Sequence, residues 1–127
     1  MTERPRVSSG TEWERRVGYS RAIRVDDRVV VAGTTATDDG EVVAPGEPYP
    51  QAVRAIENVA AALAEADAAL DDVVRTRPYV TDADDWEAVG RAHAEAFGET
   101  HPTTTLVEVA RLVDPRLVVE MEAEAVV

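Results

Sequence analysis

The sequence predicts a single α+β domain in which two helices lie on one face of a mixed β-sheet. Three observations lead there: strand-like runs near both ends of the chain, two amphipathic helical stripes between them, and a length of 127 residues, which suits one core. With 45% hydrophobic residues the chain has the material for that core. Residues 1–12 read as a flexible N-terminal lead-in, broken at Ser8-Ser9-Gly10, and 13–127 as the domain.

From Tyr19 the pattern becomes extended. Two β-rich runs, Ala22–Val25 and Arg28–Gly33, flank Asp26-Asp27 and predict a hairpin. Val29-Val30-Val31 is continuously apolar, which predicts a central strand buried on both faces. Thr34 to Pro50 is turn-rich, with a short strand over Glu41–Ala44. Ala52, Ile56, Val59, Leu63, Ala66 and Leu70 then recur at spacings of four and three, one stripe of a helix closed by Asp71-Asp72. Val73–Val80 reads as the next strand. Thr81 and Asp82 offer caps for a second helix whose stripe is Trp86, Val89, His93 and Phe97, ended by Gly98.

Thr103–Val109 and Leu117–Val127 are the closing strands, with Asp114-Pro115 in the turn between them. In the last strand Val119, Met121, Ala123 and Ala125 take one face, and Glu120, Glu122 and Glu124 the other. Helices on one face leave the other uncovered. Because the strands are rich in valine, self-association through that second face is the natural expectation.

Charge narrows the function classes. The net charge is −12, and all 13 basic residues are arginine. Such a surface repels phosphate backbones, so no nucleic-acid partner is expected. The acidity fits a GC-rich genome or adaptation to high cytosolic salt; self-repulsion at −12 favours the halophilic reading, because salt screens it. Without cysteine there is no thiolate chemistry, disulfide or cysteine metal site. The N-terminus lacks an apolar signal core and no run suits a membrane helix, so a cytoplasmic protein with no membrane partner is expected.

Among residues that could carry chemistry, Glu122 and Glu124 read as a solvated strand face. Glu120 is different: near the start of its strand it could sit beside Glu108 or Thr104 of the facing strand, where its pKa would rise and suit it to move a proton. His93 reads as a packed or interface histidine and His101 as solvated. Two histidines without a clustered partner give no metal site, and no cofactor motif is present. Gly33-Thr34-Thr35 is a candidate anion nest, or simply a strand end.

Several runs taken together resemble one family. They are Gly18–Ala22, Val31–Thr35, Leu70–Thr76, Tyr79–Asp82, Pro102–Leu112 and Glu120–Ala123, and they resemble the Rid (reactive intermediate deaminase, YjgF-like, "endoribonuclease L-PSP") family over nearly the whole chain from Gly18. The resemblance implies a chorismate-mutase-like α+β fold, a homotrimer with its sheets in a central barrel, and small-molecule pockets between subunits. It also implies that Tyr19 lines the pocket and that Glu120 positions or activates the hydrolytic water. The family's segment P-x-R-[ST]-x-x-E-V supplies an arginine for a substrate carboxylate. Here Pro102–Val109 places Thr104 at that arginine and Leu106 at a position often held by cysteine.

Threonine offers a hydroxyl without charge and cannot replace a bidentate guanidinium. The expectation is therefore hydrolysis of a small imine, enamine or related C–N substrate, not efficient turnover of carboxylated 2-aminoacrylate-type imines. Thr104 would bond a neutral group of the ligand, with Gly33, Thr34 and Leu106 around it and Trp13 as an aromatic lid or a plain hydrophobic staple. A non-catalytic metabolite-binding trimer is the alternative. RNA cleavage, which some family names record, is opposed by the charge.

Overall fold

The clean alternation at the C-terminus becomes the centre of the sheet. In the computed structural model, which describes residues 3–127, Val119–Val126 lies between Arg28–Thr35 and Val73–Val80 and pairs antiparallel with both. In chain order the elements are β1 (Arg6–Val7), α1 (Glu12–Val17), β2 (Ala22–Val25), β3 (Arg28–Thr35), β4 (Thr37–Asp38), β5 (Glu41–Val42), α2 (Pro48–Glu65), β6 (Val73–Val80), α3 (Trp86–Phe97), β7 (Thr103–Thr104), β8 (Val107–Glu108) and β9 (Val119–Val126). The main sheet runs β1-β2-β3-β9-β6-β7, with β8 continuing the β7 edge along β6. The expected α+β layer is present.

Helices α2 and α3 cover the face to which Val119, Met121, Ala123 and Ala125 point, all 2% exposed or less. Against them pack Ala52, Ile56, Val59 and Leu63 of α2 and Val89 and Phe97 of α3. Each large side chain buried there contributes about 1.5–3 kcal/mol. Helix α2 ends earlier than its stripe predicts. Asp67 turns left-handed at φ 59°, and Leu70 packs on the core from a short 3₁₀ turn, Leu70–Asp72. Trp86 leaves its stripe too: at the start of α3 it is exposed. Gly98 does not reverse the chain after α3; its φ is −58°, and the left-handed residue is His101 at 49°. Among the described residues no helix is long and apolar enough to cross a membrane.

Two turns follow their residues closely. Asp26 is left-handed at φ 53° in the β2–β3 hairpin, a conformation aspartate tolerates. Asp39 (φ 50°) and Gly40 (φ 85°) are both left-handed between β4 and β5, as a type I′ hairpin turn requires. A buried amide fixes the entry to β9. Gln51 is fully buried, donates to the carbonyls of Ala44 and Arg116 at 3.0 and 2.8 Å, and accepts from the Val118 N–H at 2.8 Å.

Three expectations need correcting. The lead-in is ordered in part: Arg6–Val7 pairs with Ile23 and Ala22, and Val7 is buried because it completes the edge of the core. Val29–Val31 is not buried on both faces, because only one face is covered; Val29 and Val31 are buried and Val30 is 45% exposed. Nor is the uncovered face apolar. Alternation sends the valines toward the helices, so that face carries Glu120, Glu122, Glu124, Arg28, Arg77 and Tyr79 around Val30. It is tied by Arg28–Glu124 at 2.8 Å, Arg77–Glu122 at 3.3 Å and the Tyr79 hydroxyl donating to Glu122 at 2.6 Å.

Candidate functional site

The site starts from an irregularity. Between Val31 and Thr34, β3 spends one residue more than β9, a bulge at Ala32-Gly33. It switches the buried positions from Val29 and Val31 to Thr34 and Ala36, and bulges of this kind re-aim neighbouring side chains. At the bulge Gly33 meets Glu120. A Cβ at residue 33 would overlap Glu120 Oε1 and lie 2.9 Å from its Cδ, so the carboxylate rests on the bare Cα. Gly33 is needed for this approach and not for its backbone angles, since its φ is not positive.

Glu120 is half-buried on the uncovered face, flanked across the ladders by Thr35 and Tyr79. Burial pushes its pKa up, Arg21 pulls it down, and Glu122 adds a smaller push upward. The expected neighbours Glu108 and Thr104 are not beside it. Strand β6 runs between, because β7 and β8 pair parallel with β6 and only β6 pairs with β9 on that side. Glu108 instead accepts from the Ala83 N–H at 2.8 Å.

Arg21 organises what surrounds Glu120. Its Nη1 donates to the Gly33 carbonyl at 2.5 Å and to Thr34 Oγ1 at 3.1 Å, and its Nη2 donates to the Tyr19 hydroxyl at 3.3 Å. The guanidinium carbon lies 5.6 Å from the centre of the Tyr19 ring. Its Nε faces Glu14 Oε2 at 3.7 Å, with both side chains largely buried. Glu14 in turn accepts from the Ser8 hydroxyl at 3.0 Å, the Ser9 N–H at 3.1 Å, the Ser9 hydroxyl and the Thr11 hydroxyl at 3.0 Å. Burial pushes the Glu14 carboxyl up, but the bonds from Ser9, Ser8 and Thr11 outweigh it and hold the pKa below the ordinary value of 4.5.

Sequence reasoning offers Arg21 only as one of three arginines, with Arg15 and Arg16, that could enter the cleft, and gives Glu14 no place. Tyr19 and Arg21, two apart in an extended run, were the available signal. Arg21 links the Tyr19 hydroxyl to the Gly33 carbonyl, and Glu120 rests on the Cα of Gly33. Thr34 is buried, and its hydroxyl donates to the Ala32 carbonyl at 2.7 Å.

Thr104 and Leu106 lie elsewhere. Thr104 pairs with Thr76, which pairs with Ala123, so it is two strands from β9 and three residues along from Glu120. That is about 10 Å in each direction at ordinary strand spacing and rise. Its hydroxyl accepts from Thr76 Oγ1 at 2.8 Å, and Thr76 Oγ1 is 2.8 Å from His93 Nε2. His93 is thus a packed histidine, its ring 4.7 Å from that of Phe97, with burial pushing its pKa down. Leu106 falls where edge pairing lapses between β7 and β8, opposite Pro78, which has no N–H to offer, and it packs on the core. Trp13 is 58% exposed on α1, one turn before the exposed Val17. A shallow depression on the uncovered face lies over Val30, Arg77, Glu122 and Glu124 and does not take in Glu120.

The contact at Gly33 yields a direct expectation. In Gly33→Ala the new methyl displaces the Glu120 carboxylate, the mobile end of a side chain, so stability changes by less than about 1 kcal/mol. Any turnover that needs Glu120 in place falls at least about 10-fold, since small misplacements of a reacting group are costly. Urea unfolding and steady-state rates on the same sample check both halves.

Known proteins share this fold. The model of the family described as Endoribonuclease L-PSP matches residues 11–127. An uncharacterized protein of Streptomyces coelicolor is 42% identical over 120 residues, covering 94% of this chain and 90% of its own. A RutC family protein of Pyrococcus abyssi is 42% identical over 110 residues, 84% of each chain. Among solved structures, a YjgF/YER057c/UK114 family member from Mycobacterium tuberculosis matches with a TM-score of 0.90 at 49% identity, over 98% of this chain and 100% of that one. TdcF of E. coli, solved with bound serine, matches with a TM-score of 0.81 at 25% identity, over 96% and 94%.

Proposed function

The chain belongs to the YjgF-like (Rid) family, that of the endoribonuclease L-PSP model, and on this premise we propose that it hydrolyses a small imine, enamine or related C–N compound in clefts between the subunits of a homotrimer. The observation that carries the reading is Glu120. Its carboxylate is half-buried, its pKa is raised by burial, and it rests on Gly33, whose carbonyl is held by the same arginine that holds the Tyr19 hydroxyl, on a face that the chain's own helices leave open. A carboxylate so placed takes a proton from water as the water adds to the C=N carbon. It returns the proton to nitrogen to give a carbinolamine; a second transfer, from the new hydroxyl to the amino nitrogen, breaks the C–N bond and leaves ammonia and a carbonyl.

A site between subunits is favoured because the two halves implied by the resemblance are far apart in one chain. Tyr19 and Glu120 form one; Thr104 and Leu106, on the opposite edge, would reach the same cleft from a neighbour, with Trp13 at its rim. The serine bound to the E. coli relative supports a ligand of that size. A neutral ligand is favoured over a carboxylated one. Position 104 is threonine, its hydroxyl already accepts a bond from Thr76, and the fork of Arg21 is spent on Gly33, Thr34 and Tyr19. RNA is disfavoured by the net charge of −12.

Ammonia release from a panel of neutral and carboxylated imines tests this, on protein whose mass at high salt is that of three chains. Thr104→Arg should raise turnover of 2-iminopropionate by about 10- to 100-fold, the worth of one charge-assisted contact. An unchanged rate removes the role given to position 104. No turnover of any substrate, with ligand-dependent thermal stabilisation, supports binding without catalysis. A single-chain mass overturns the shared cleft.

A further inference from the structure

We propose that Arg21 is the positioning residue of this site: one guanidinium holds both the Tyr19 hydroxyl and the bulge at Gly33 on which the Glu120 carboxylate rests. The inference rests on the reading of Glu120 as the proton-transfer group. The geometry is specific to arginine. Three donors on two nitrogens reach the Gly33 carbonyl, Thr34 Oγ1 and the Tyr19 hydroxyl, a span that a lysine ammonium on a flexible stem does not reproduce. The side chain is 13% exposed, so its position is determined by packing as well as by bonding.

The charges around Glu120 are few. Arg21 approaches from the segment leading into β2, and Glu122 lies two residues along β9 on the same face. From β6 come Tyr79, whose hydroxyl is bonded to Glu122, and Arg77, paired with Glu122. Residues 32–35 of β3 carry no charge, and Glu14 sits behind Arg21. Arg77 is therefore committed to Glu122, and Arg21 is the cation that acts on Glu120. Glu14 does not cancel that charge completely. Its carboxylate is 3.7 Å from Arg21 Nε and is shared with Ser8, Ser9 and Thr11. The arrangement resembles a two-sided clamp: the N-terminal segment anchors Glu14, Glu14 orients Arg21, and Arg21 holds Tyr19 and the bulge on which Glu120 rests.

The test reads Glu120 directly and needs no substrate. Carboxyl ¹³C NMR titration, with Glu120→Gln to assign the resonance, is compared in wild type, Arg21→Gln and Arg21→Lys. The Glu120 midpoint should rise by about one pH unit in Arg21→Gln and return toward wild type in Arg21→Lys. The Tyr19 ring shifts should stay displaced in both, since lysine restores charge but not the fork. Because Arg21→Gln leaves Glu14 buried without a counter-charge, Arg21→Gln/Glu14→Gln is the folded control and should show the same rise. An unchanged Glu120 midpoint in the double variant overturns the proposal, as does a Tyr19 ring that keeps its wild-type shifts. If Glu120→Gln keeps full turnover while the midpoint moves as expected, the reaction is misassigned and the role of Arg21 stands.

Discussion

Glu120→Gln should lose between about 100- and 10,000-fold in ammonia release, the range for removing a positioned proton-transfer group, and should unfold no more easily than wild type at neutral pH. The two halves have one cause. The folded pKa of Glu120 lies above its unfolded value of 4.5 because burial disfavours the charged form. A group of this kind binds its proton more tightly in the native state, so stability falls as pH rises from the unfolded value through the folded one. Above that window the native protein carries a partly desolvated carboxylate that glutamine does not. The variant should therefore gain on wild type in urea midpoint across the window and hold the gain above it. At about pH 3, where the carboxyl is protonated in both states, the difference should vanish. A variant that loses activity and stability together would mean that Glu120 is a structural strut and not a reacting group.

Strand β6 was legible to the residue because Val73–Val80 is bounded by aspartates on one side and a cap on the other. The β9 faces were legible because seven residues, Val119 to Ala125, alternate without a break. Strand β1 was not, since Val7 is the one apolar residue in a polar stretch and a two-residue strand has no period. Parity was also missed in β3. Three consecutive valines look the same from either face, and the bulge that moves the buried set from Val31 to Thr34 falls on Ala32-Gly33, two small residues that mark no face.

The neighbours expected for Glu120 were misdrawn for a topological reason. Two closing strands adjacent in sequence suggest a hairpin, which would bring Thr104 beside Glu120. The connection from β6 through α3 to β7 makes a parallel crossover instead, and it places β7 and β8 on the far side of β6. Arg21 was hidden for a related reason. Its role depends on the Gly33 carbonyl, the Tyr19 hydroxyl and Glu14 meeting at one point, and only Tyr19 is near it in sequence. The family resemblance named Tyr19 and Glu120 without the bonds that tie Tyr19 to the bulge beneath Glu120.

Glu14→Ala should be the most destabilising of the variants considered, by about 3–5 kcal/mol, the usual cost of breaking a buried charge pair from one side. The deletion strands several groups at once. Arg21 loses its counter-ion while its side chain remains 13% exposed. The Ser8, Ser9 and Thr11 hydroxyls and the Ser9 N–H lose their shared acceptor. Helix α1 has only 6 residues, and the Thr11 cap that accepts from the Glu14 N–H is held by the same carboxylate, so little else anchors the helix. The pH dependence has the opposite sign to that of Glu120. The folded pKa of Glu14 is below its unfolded value of 4.5, so its contribution is complete above that value and is lost as pH falls through the folded one. The gap in unfolding free energy between wild type and Glu14→Ala should thus be constant from about pH 5 to 8 and narrow toward about pH 2. Hydrogen exchange adds a spatial check. If the segment 6–17 opens by itself, its amides lose protection while those of β9 keep theirs, and the loss in global stability is smaller than stated. Equal loss of protection in both places shows that the N-terminal anchor is part of the cooperative core, and then the Glu14–Arg21 pair links the stability of the fold to the placement of Tyr19 and Glu120.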